Sequence, residues 1–301
     1  VFTSCQDANL DLYSNDQPIR LDLAEQKLTI LQLTDLHLTF GSDANDRATL
    51  RLIRTLVRTE QPDLIVFTGD LTMSPSGPRL FHQLVATMEG LETPWTFIFG
   101  NHETDFNSYE SYLENLDQHE HLLFKVGPEL VDGGYGNFKI ETYYNDTPFY
   151  NLYLLDSHAE DESPLTYDWL SESQVDWYEQ KASQDATSLI KSSVFMHIPL
   201  QEYQLYEGEG LDGQKGEKVS IQGQNTGLFD KLLVHGVSQA VFVGHDHLNN
   251  YSFYQQGILL SYGQASGYNG YGNTPKGGRL IVIDGELNLT TKILLDEDYD
   301  L

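Results

Sequence analysis

Short apolar runs and longer amphipathic stretches alternate along the first hundred residues of the chain. Three runs with the length and composition of buried strands lie at 27–34, 63–70 and 94–103. Between them, residues 43–61 place Leu50, Ile53 and Val57 on one face of a predicted helix, and residues 77–91 predict a second helix. Strands that alternate with helices of this length predict βαβ units and a largely parallel sheet.

The pattern changes after about residue 135, where apolar runs follow one another more closely. Further strands are predicted at 136–144, 149–157, 192–199, 240–245, 250–255, 257–263, 279–285 and 287–294. Two amphipathic stretches, 171–183 and 226–236, predict helices among them. We therefore expect an α/β protein in which a second, mixed sheet packs on the first and helices cover both outer faces.

Two long polar stretches interrupt this pattern. Residues 201–226 form a glycine-rich segment, and residues 262–278, YGQASGYNGYGNTPKGG, form a segment rich in tyrosine and glycine. Loops of this length within a compact domain are usually functional or disordered. Apart from these loops, we expect an N-terminal extension, 1–26, followed by a single domain, 27–301.

Charge and hydrophobicity narrow the classes of function. The formal net charge is −28, which repels nucleic acids and anionic lipid surfaces, so we expect no nucleic-acid partner. No apolar run approaches 18 residues, so no transmembrane segment is predicted. The oligomeric state is not predicted by these features.

The single cysteine, Cys5, excludes an intrachain disulfide bond. The stretch VFTSC resembles the end of a bacterial lipoprotein cleavage site, in which Cys5 would carry a lipid anchor at the cell surface. Phe2 stands where such sites usually have Leu. A cysteine without this role, in a cytoplasmic protein, is the alternative interpretation.

Five predicted strands end in residue types that bind metal ions. The residues at these ends are Asp35 and His37, Gly69 and Asp70, Gly100 with Asn101 and His102, His197, and His245 with His247. Residues two apart in a strand point to the same side, so each such pair could bind one object. The carboxyl edge of a parallel sheet is also where open α/β folds bind ligands. One histidine after a strand is usually structural, but five such ends together predict a metal centre.

The chain contains the segments TDLH, TGDL, FGNHE, FMHIP and VGHDH in this order. Their identity and order resemble the motifs of the calcineurin-like metallophosphoesterase superfamily. The resemblance covers nearly the whole chain and implies the four-layer α/β/β/α sandwich of two mixed β-sheets. It also implies a centre of two metal ions. The implied ligands are Asp35, His37 and His247 for the first ion, Asn101, His197 and His245 for the second, and Asp70 bridging both.

The implied chemistry agrees with these residue types. Two ions can share a hydroxide and can clamp the phosphoryl oxygens of a substrate. Mixed imidazole and oxygen ligands suit Mn, Fe or Zn, as divalent or trivalent ions. His102 is then expected to hold the phosphate and protonate the leaving oxygen, with Glu103 or Asp105 as its orienting partner. Bracing of the loop is the structural alternative for His102.

Within the superfamily, the segments FMHIPLQEY, GHDHLNNYS and SYGQASGYNGYG resemble the purple acid phosphatase-like branch. The chain departs from that branch at two positions. A purple enzyme has Gly where His37 stands and a metal-bound Tyr where this chain has Met73. The absence of that tyrosine predicts a non-purple relative.

The resemblance implies hydrolysis of phosphomonoesters by attack of the bridging hydroxide, on a small phosphorylated substrate or a phosphoprotein. The alternatives are a phosphodiesterase acting on cyclic nucleotides or glycerophosphodiesters, and a non-catalytic metal-binding scaffold. Tyr262, Tyr268 and Tyr271 could stack on a leaving group, or they could pack as ordinary aromatic residues. The loop 201–226 could be a lid that carries Lys215 and Lys218, or it could be disordered.

Overall fold

The computed structural model describes residues 13–114, 116, 118–159 and 166–301, which form two mixed β-sheets flanked by helices. The strands are β1 (Ile19–Asp22), β2 (Leu28–Leu33), β3 (Leu64–Thr68), β4 (Trp95–Ile98), β5 (Phe138–Tyr144), β6 (Thr147–Leu154), β7 (Lys191–Phe195), β8 (Ser238–Val243), β9 (Ser252–Gln255), β10 (Ile258–Tyr262), β11 (Gly277–Ile283) and β12 (Leu289–Leu295). The α-helices are α1 (Ala44–Glu60), α2 (Gly77–Glu89), α3 (Tyr109–Leu113), α4 (Glu172–Ser188) and α5 (Leu228–His235). Short 3₁₀ helices cover His102–Asp105, Gln201–Leu205 and Asp296–Asp298.

The smaller sheet has five strands in the order β12-β11-β2-β3-β4. Strands β2, β3 and β4 are parallel, and α1 and α2 connect them as the predicted βαβ units require. Asp43 caps the N-terminus of helix α1, because its side chain accepts hydrogen bonds from the backbone N–H groups of Asn45 and Asp46. Strands β11 and β12 add antiparallel pairs at the other edge.

The larger sheet has seven strands in the order β1-β5-β6-β7-β8-β10-β9. Its centre, from β6 through β7 and β8 to β10, is parallel. Antiparallel pairs join β5 to β6 and β9 to β10. The carboxyl ends of β7 and β8 therefore lie side by side at one edge of this sheet.

The two sheets face each other across one continuous apolar core. Near the carboxyl ends of these strands, the fully buried Gln32 of β2 donates a hydrogen bond to the backbone carbonyl of Val243 in β8, at 3.0 Å. Helix α2 packs on the outer face of the smaller sheet through Phe81, and α4 packs on the larger sheet through Tyr178, which hydrogen-bonds Ser238 at 2.7 Å. The predicted four-layer α/β/β/α sandwich is confirmed.

Differences from the expected elements are concentrated at the ends and in short elements. Strand β1 falls within the segment 1–26 and pairs with β5 in the larger sheet, so part of that segment adds to the sheet; the domain division itself stays a prediction. Cys5 lies outside the described residues. Helix α4 continues to Ser188, and α3 was not predicted.

The loop 201–226 is held against the segment after β8. The backbone N–H of Gln214 donates to Asn250, that of Glu217 donates to Asn249, and residues 215 and 249 form an isolated bridge. These contacts contradict the alternative of a disordered loop. Among the described residues, no helix is long and apolar enough to cross a membrane.

Candidate metal centre

Five strands from both sheets end at one place in the molecule. Asp35 follows β2, Asp70 follows β3, Asn101 follows β4, His197 follows β7, and His245 and His247 follow β8. Because the sheets face each other, these ends converge from two sides. All seven predicted ligand side chains are buried.

The first group of side chains consists of Asp35, His37, Asp70 and His247, whose ligand atoms all lie within 4.8 Å of one another. Nε2 of His37 lies 2.9 Å from Nε2 of His247 and 3.6 Å from Oδ2 of Asp70. Oδ1 of Asp35 lies 3.4 Å from the same His247 nitrogen. This is the set expected around the first ion.

The second group consists of Asp70, His197 and His245, so Asp70 belongs to both groups. Nε2 of His197 lies 3.2 Å from Oδ2 of Asp70 and 3.1 Å from Oδ1 of Asn101. Nδ1 of His197 donates to the backbone carbonyl of Thr68 at 2.7 Å. That hydrogen bond fixes the ring so that Nε2 faces the other ligands.

The chain reaches this arrangement by turning, because four ligand residues have left-handed backbone angles. Their φ values are 55° for Asp35, 46° for His37, 53° for Asp70 and 81° for His245. We expected Asp35 with His37, and His245 with His247, to share a side because residues alternate along an extended strand. That explanation is therefore wrong. The pairs share one site because the chain coils just beyond each strand end.

The carboxylates of the centre stabilise positive charge and so favour the binding of a cation. Burial disfavours a charged His197, but Asp70 and Asp35 outweigh burial and raise the pKa of His197 to about 10. Burial lowers the pKa of His37 to about 4 and that of His245 to about 3. The last two imidazoles are therefore neutral at pH 7, with a lone pair available for a metal ion.

The donor set fits metal ions in number and spacing. It comprises four imidazoles and three oxygen-bearing side chains, which suits Mn, Fe or Zn. Bond lengths of about 2.0–2.2 Å place neighbouring ligand atoms of one ion roughly 3 Å apart. The distances between ligand atoms given above agree with this spacing. Nε2 of His245 is buried and has no hydrogen-bond partner among the described residues, which a bound cation would provide.

His102 lies beside this centre with part of its ring exposed. Its backbone N–H donates to Oδ1 of Asp70 at 2.9 Å, and its ring lies 5.1 Å from the ring of His37. Its Nδ1 bonds Oδ2 of Asp105 at 2.7 Å. Burial disfavours a charged His102, but Asp70 and Asp105 outweigh burial and raise the pKa of His102. These carboxylates thus stabilise the imidazolium form of His102 relative to the neutral ring.

Glu103 has a different environment from the one expected of an orienting partner. It is fully buried, and its carboxylate accepts backbone hydrogen bonds from Leu71, Thr72 and Gly100 at 2.6–3.0 Å. Burial and the charge of Asp70 raise the pKa of Glu103 to about 7. Glu103 therefore braces the loops that carry the ligands, and Asp105 orients His102.

Two tyrosines pack directly on ligand histidines. Tyr271 stacks on His247 with ring centroids 4.1 Å apart and planes 9° apart, and its hydroxyl donates to Glu217 at 2.8 Å. Tyr167 meets His245 edge to face at 4.3 Å. Sequence reasoning missed Tyr167, because no motif connects it to the strand ends.

The other predicted substrate contacts lie elsewhere. Tyr262 is fully buried and donates to Asp246, and the Tyr268 hydroxyl donates to Asp296 at 2.6 Å. Their hydroxyls therefore have structural partners. Lys215 and Lys218 are exposed.

Comparison with known proteins places this geometry in a family. The model of the calcineurin-like phosphoesterases matches residues 28–249, and the chain belongs to that family.

Individual proteins are also similar to this chain. "Probable inactive purple acid phosphatase 14" of Arabidopsis thaliana is 29% identical over 88% of this chain and 76% of its own length. "Phosphatase DCR2" of Saccharomyces cerevisiae is 29% identical over 75% of this chain and 45% of its own length. A dimetal phosphatase from Danio rerio superposes with a TM-score of 0.61 at 14% identity, covering 88% of this chain and 98% of that chain, which shows the shared fold.

Proposed function

We propose that this protein is a metal-dependent phosphoesterase that hydrolyses phosphomonoesters of small compounds or phosphoproteins. The observation that carries the proposal is the convergence of all seven ligand residues with a solvent-accessible His102 that is paired with Asp105. A protein of this fold without catalysis would not need an oriented acid beside the centre.

In this proposal Asp35, His37 and His247 hold one ion, and Asn101, His197 and His245 hold the other, with Asp70 shared. When bound, such ions lower the pKa of water and neutralise phosphoryl charge. The Thr68 carbonyl, through its bond to Nδ1, keeps His197 in the tautomer that binds a cation.

His102 is the proposed general acid. Asp105 occupies Nδ1, so the proton on Nε2 is the one that can pass to the leaving oxygen. The nearby carboxylates of Asp70 and Asp105 raise the pKa of His102 and so favour the protonated ring that a general acid requires. Before transfer, the same N–H can donate a hydrogen bond to a phosphoryl oxygen and so orient the ester.

Tyr271 is the proposed wall of the substrate site. About half of its surface is exposed while its ring covers His247. A flat aromatic face at this position can contact the organic part of an ester. Glu217 fixes the hydroxyl of Tyr271 and thereby the position of the ring.

A second candidate function is a metal-binding scaffold without catalysis. The names of the Arabidopsis relatives describe them as probably inactive proteins, which gives this candidate its support. A phosphodiesterase is the closer alternative to the proposed activity.

The test compares hydrolysis of p-nitrophenyl phosphate with that of bis-p-nitrophenyl phosphate. Protein stripped of metal is reloaded with Mn, Fe or Zn, and bound metal is counted by mass spectrometry. We expect faster monoester turnover that requires metal. In His102→Ala, the rate should fall about 10²- to 10⁴-fold with metal still bound. Asp105→Asn should lower kcat less and leave the metal content unchanged.

Each other outcome assigns a different function. Faster turnover of the diester would identify a phosphodiesterase. No turnover of either ester by the fully loaded protein would favour the scaffold. Unchanged turnover in His102→Ala would remove its proposed role as the acid.

A further inference from the structure

Helix α1 carries four arginines on one side. They are Arg47, Arg51, Arg54 and Arg58. At 100° per residue their spacing of four, three and four places them within an arc of about 60°. With a rise of 1.5 Å per residue, the row is roughly 16 Å long. Three of the four side chains are exposed and Arg54 is half-buried.

All four arginines line one surface cavity of about 560 Å³, here called the arginine groove. The other lining residues are Gly41, Ser42, Leu50, Thr55 and Gln83, so the lining contains no carboxylate. Among the described residues, no carboxylate lies within ion-pair distance of these guanidinium groups. The chain has 45 acidic residues and only 17 basic ones, so four arginines on one helix face are a local concentration of the minority charge.

The acidic residues of α1 itself have other partners. Asp46 is fully buried and accepts backbone hydrogen bonds from Thr39 and Phe40 at 2.8–3.2 Å. Glu60 accepts a hydrogen bond from the Tyr299 hydroxyl at 2.7 Å. Neither carboxylate forms an ion pair with an arginine of the groove.

We propose that the arginine groove binds a short acidic segment of a partner protein. A row of about 16 Å matches roughly five residues of extended chain. Guanidinium groups bind carboxylates through paired hydrogen bonds, and the row can pair with alternate acidic side chains, which point to the same side of an extended segment. This proposal does not depend on catalysis at the metal centre.

The shape and charge of the molecule favour a peptide over other polyanions. A flat lipid surface does not fill a concave groove on one helix. A nucleic acid long enough to fill the groove would also place phosphate groups over the surrounding protein surface. The net charge of −28 of the protein repels those phosphates. A short acidic segment can keep its charges within the row.

The experiment measures binding of fluorescein-labelled hexaglutamate to the full chain by anisotropy, at low and high salt. We expect binding that weakens as salt screens the charges. Replacing two groove cations in Arg51→Gln/Arg58→Gln should weaken it about tenfold or more. Lys27→Gln/Lys292→Gln removes the same charge elsewhere and should leave binding unchanged. Labelled hexaglutamine should not bind.

The same assay decides between occupants. Equal weakening by both double variants would overturn the proposal, since only net charge would then matter. Tighter binding of a single-stranded oligonucleotide or of phosphatidylserine vesicles than of hexaglutamate would also overturn it, as would no peptide binding at millimolar concentration. Melting temperatures of the variants establish that they are folded, as expected for surface substitutions.

Discussion

At the scale of single residues, the metal centre is made by backbone conformations that most residues avoid. Asp35, His37, Asp70 and His245 have φ between 46° and 81°, and each such conformation costs on the order of 1–3 kcal/mol. Backbone hydrogen bonds from Asp35 to Gly69 and from His37 to Asp70 hold two of these turns in place. The strain thus places the ligands at the expense of local stability.

Gly100 should be indispensable because nothing larger fits beside the shared carboxylate. A Cβ at this position would lie 2.2 Å from Oδ1 of Asp70. We expect Gly100→Ala to displace Asp70 and to weaken metal binding by tenfold or more, measured by titration of metal into stripped protein. The control is Gly90→Ala, whose Cβ meets only backbone atoms at 3.5 Å. Equal metal binding by the two variants would contradict this prediction.

His158 should make stability depend on pH independently of the metal centre. Burial disfavours its charge, but the bond to Asp168 and the charge of Asp156 raise the pKa of His158 to about 9. The folded protein therefore keeps this proton up to about pH 9, whereas the unfolded chain loses it near 6.5. The stabilisation is complete below pH 6.5 and disappears as pH rises through 9, by up to about 3 kcal/mol.

Denaturant unfolding of metal-free protein between pH 6 and pH 9.5 measures this effect. In His158→Asn, the free energy of unfolding should fall less steeply over that range than in the wild type. Asn tolerates the left-handed φ of 62° at this position. Equal slopes for the two proteins would show that His158 has no such role.

At the scale of elements, local sequence signals set where the helices begin. The side chain of Ser171 accepts from the backbone N–H of Gln174 at 3.2 Å, and the Gln174 side chain accepts from the N–H of Ser171 at 2.8 Å. This capping box precedes α4, and the sequence alone predicted a helix there. The C-terminal end was less predictable, because the helix continues through polar residues to Ser188.

The capping box gives a prediction for α4. Ser171→Ala removes the first of the two hydrogen bonds and should lower the free energy of unfolding by about 1 kcal/mol. Ser183→Ala, at an exposed position within the same helix, should leave it unchanged or raise it slightly. Denaturant unfolding of both variants checks the difference, and equal effects would argue against the cap.

At the scale of the whole molecule, the net charge of −28 makes the folded state repel itself. Raising ionic strength from 0.01 to 1 M shortens the screening length from about 30 to about 3 Å. The melting temperature of metal-free protein at pH 7.5 should therefore rise by a few degrees. At pH 5, closer to the sequence pI of about 4.4, the rise should be smaller. A larger rise at pH 5 would contradict this explanation.

The choice of partner for His102 shows what tertiary structure adds. Glu103 and Asp105 both follow His102 in sequence, and the pattern left either as its partner. The chain forms a 3₁₀ turn from His102 to Asp105, in which residues three apart lie above one another. That turn brings Asp105 to Nδ1 and directs Glu103 into the core.

The sequence by itself determined the class of fold and the ligand residue types. Apolar runs of strand length followed by Asp, Asn or His are local features, and parallel strands bring their carboxyl ends to one edge. The tertiary structure alone decided the contacts between distant segments: Tyr271 on His247, Tyr167 on His245, and an arginine groove free of carboxylates. Such contacts depend on how loops and sheets pack together, which periodicity along one segment does not encode.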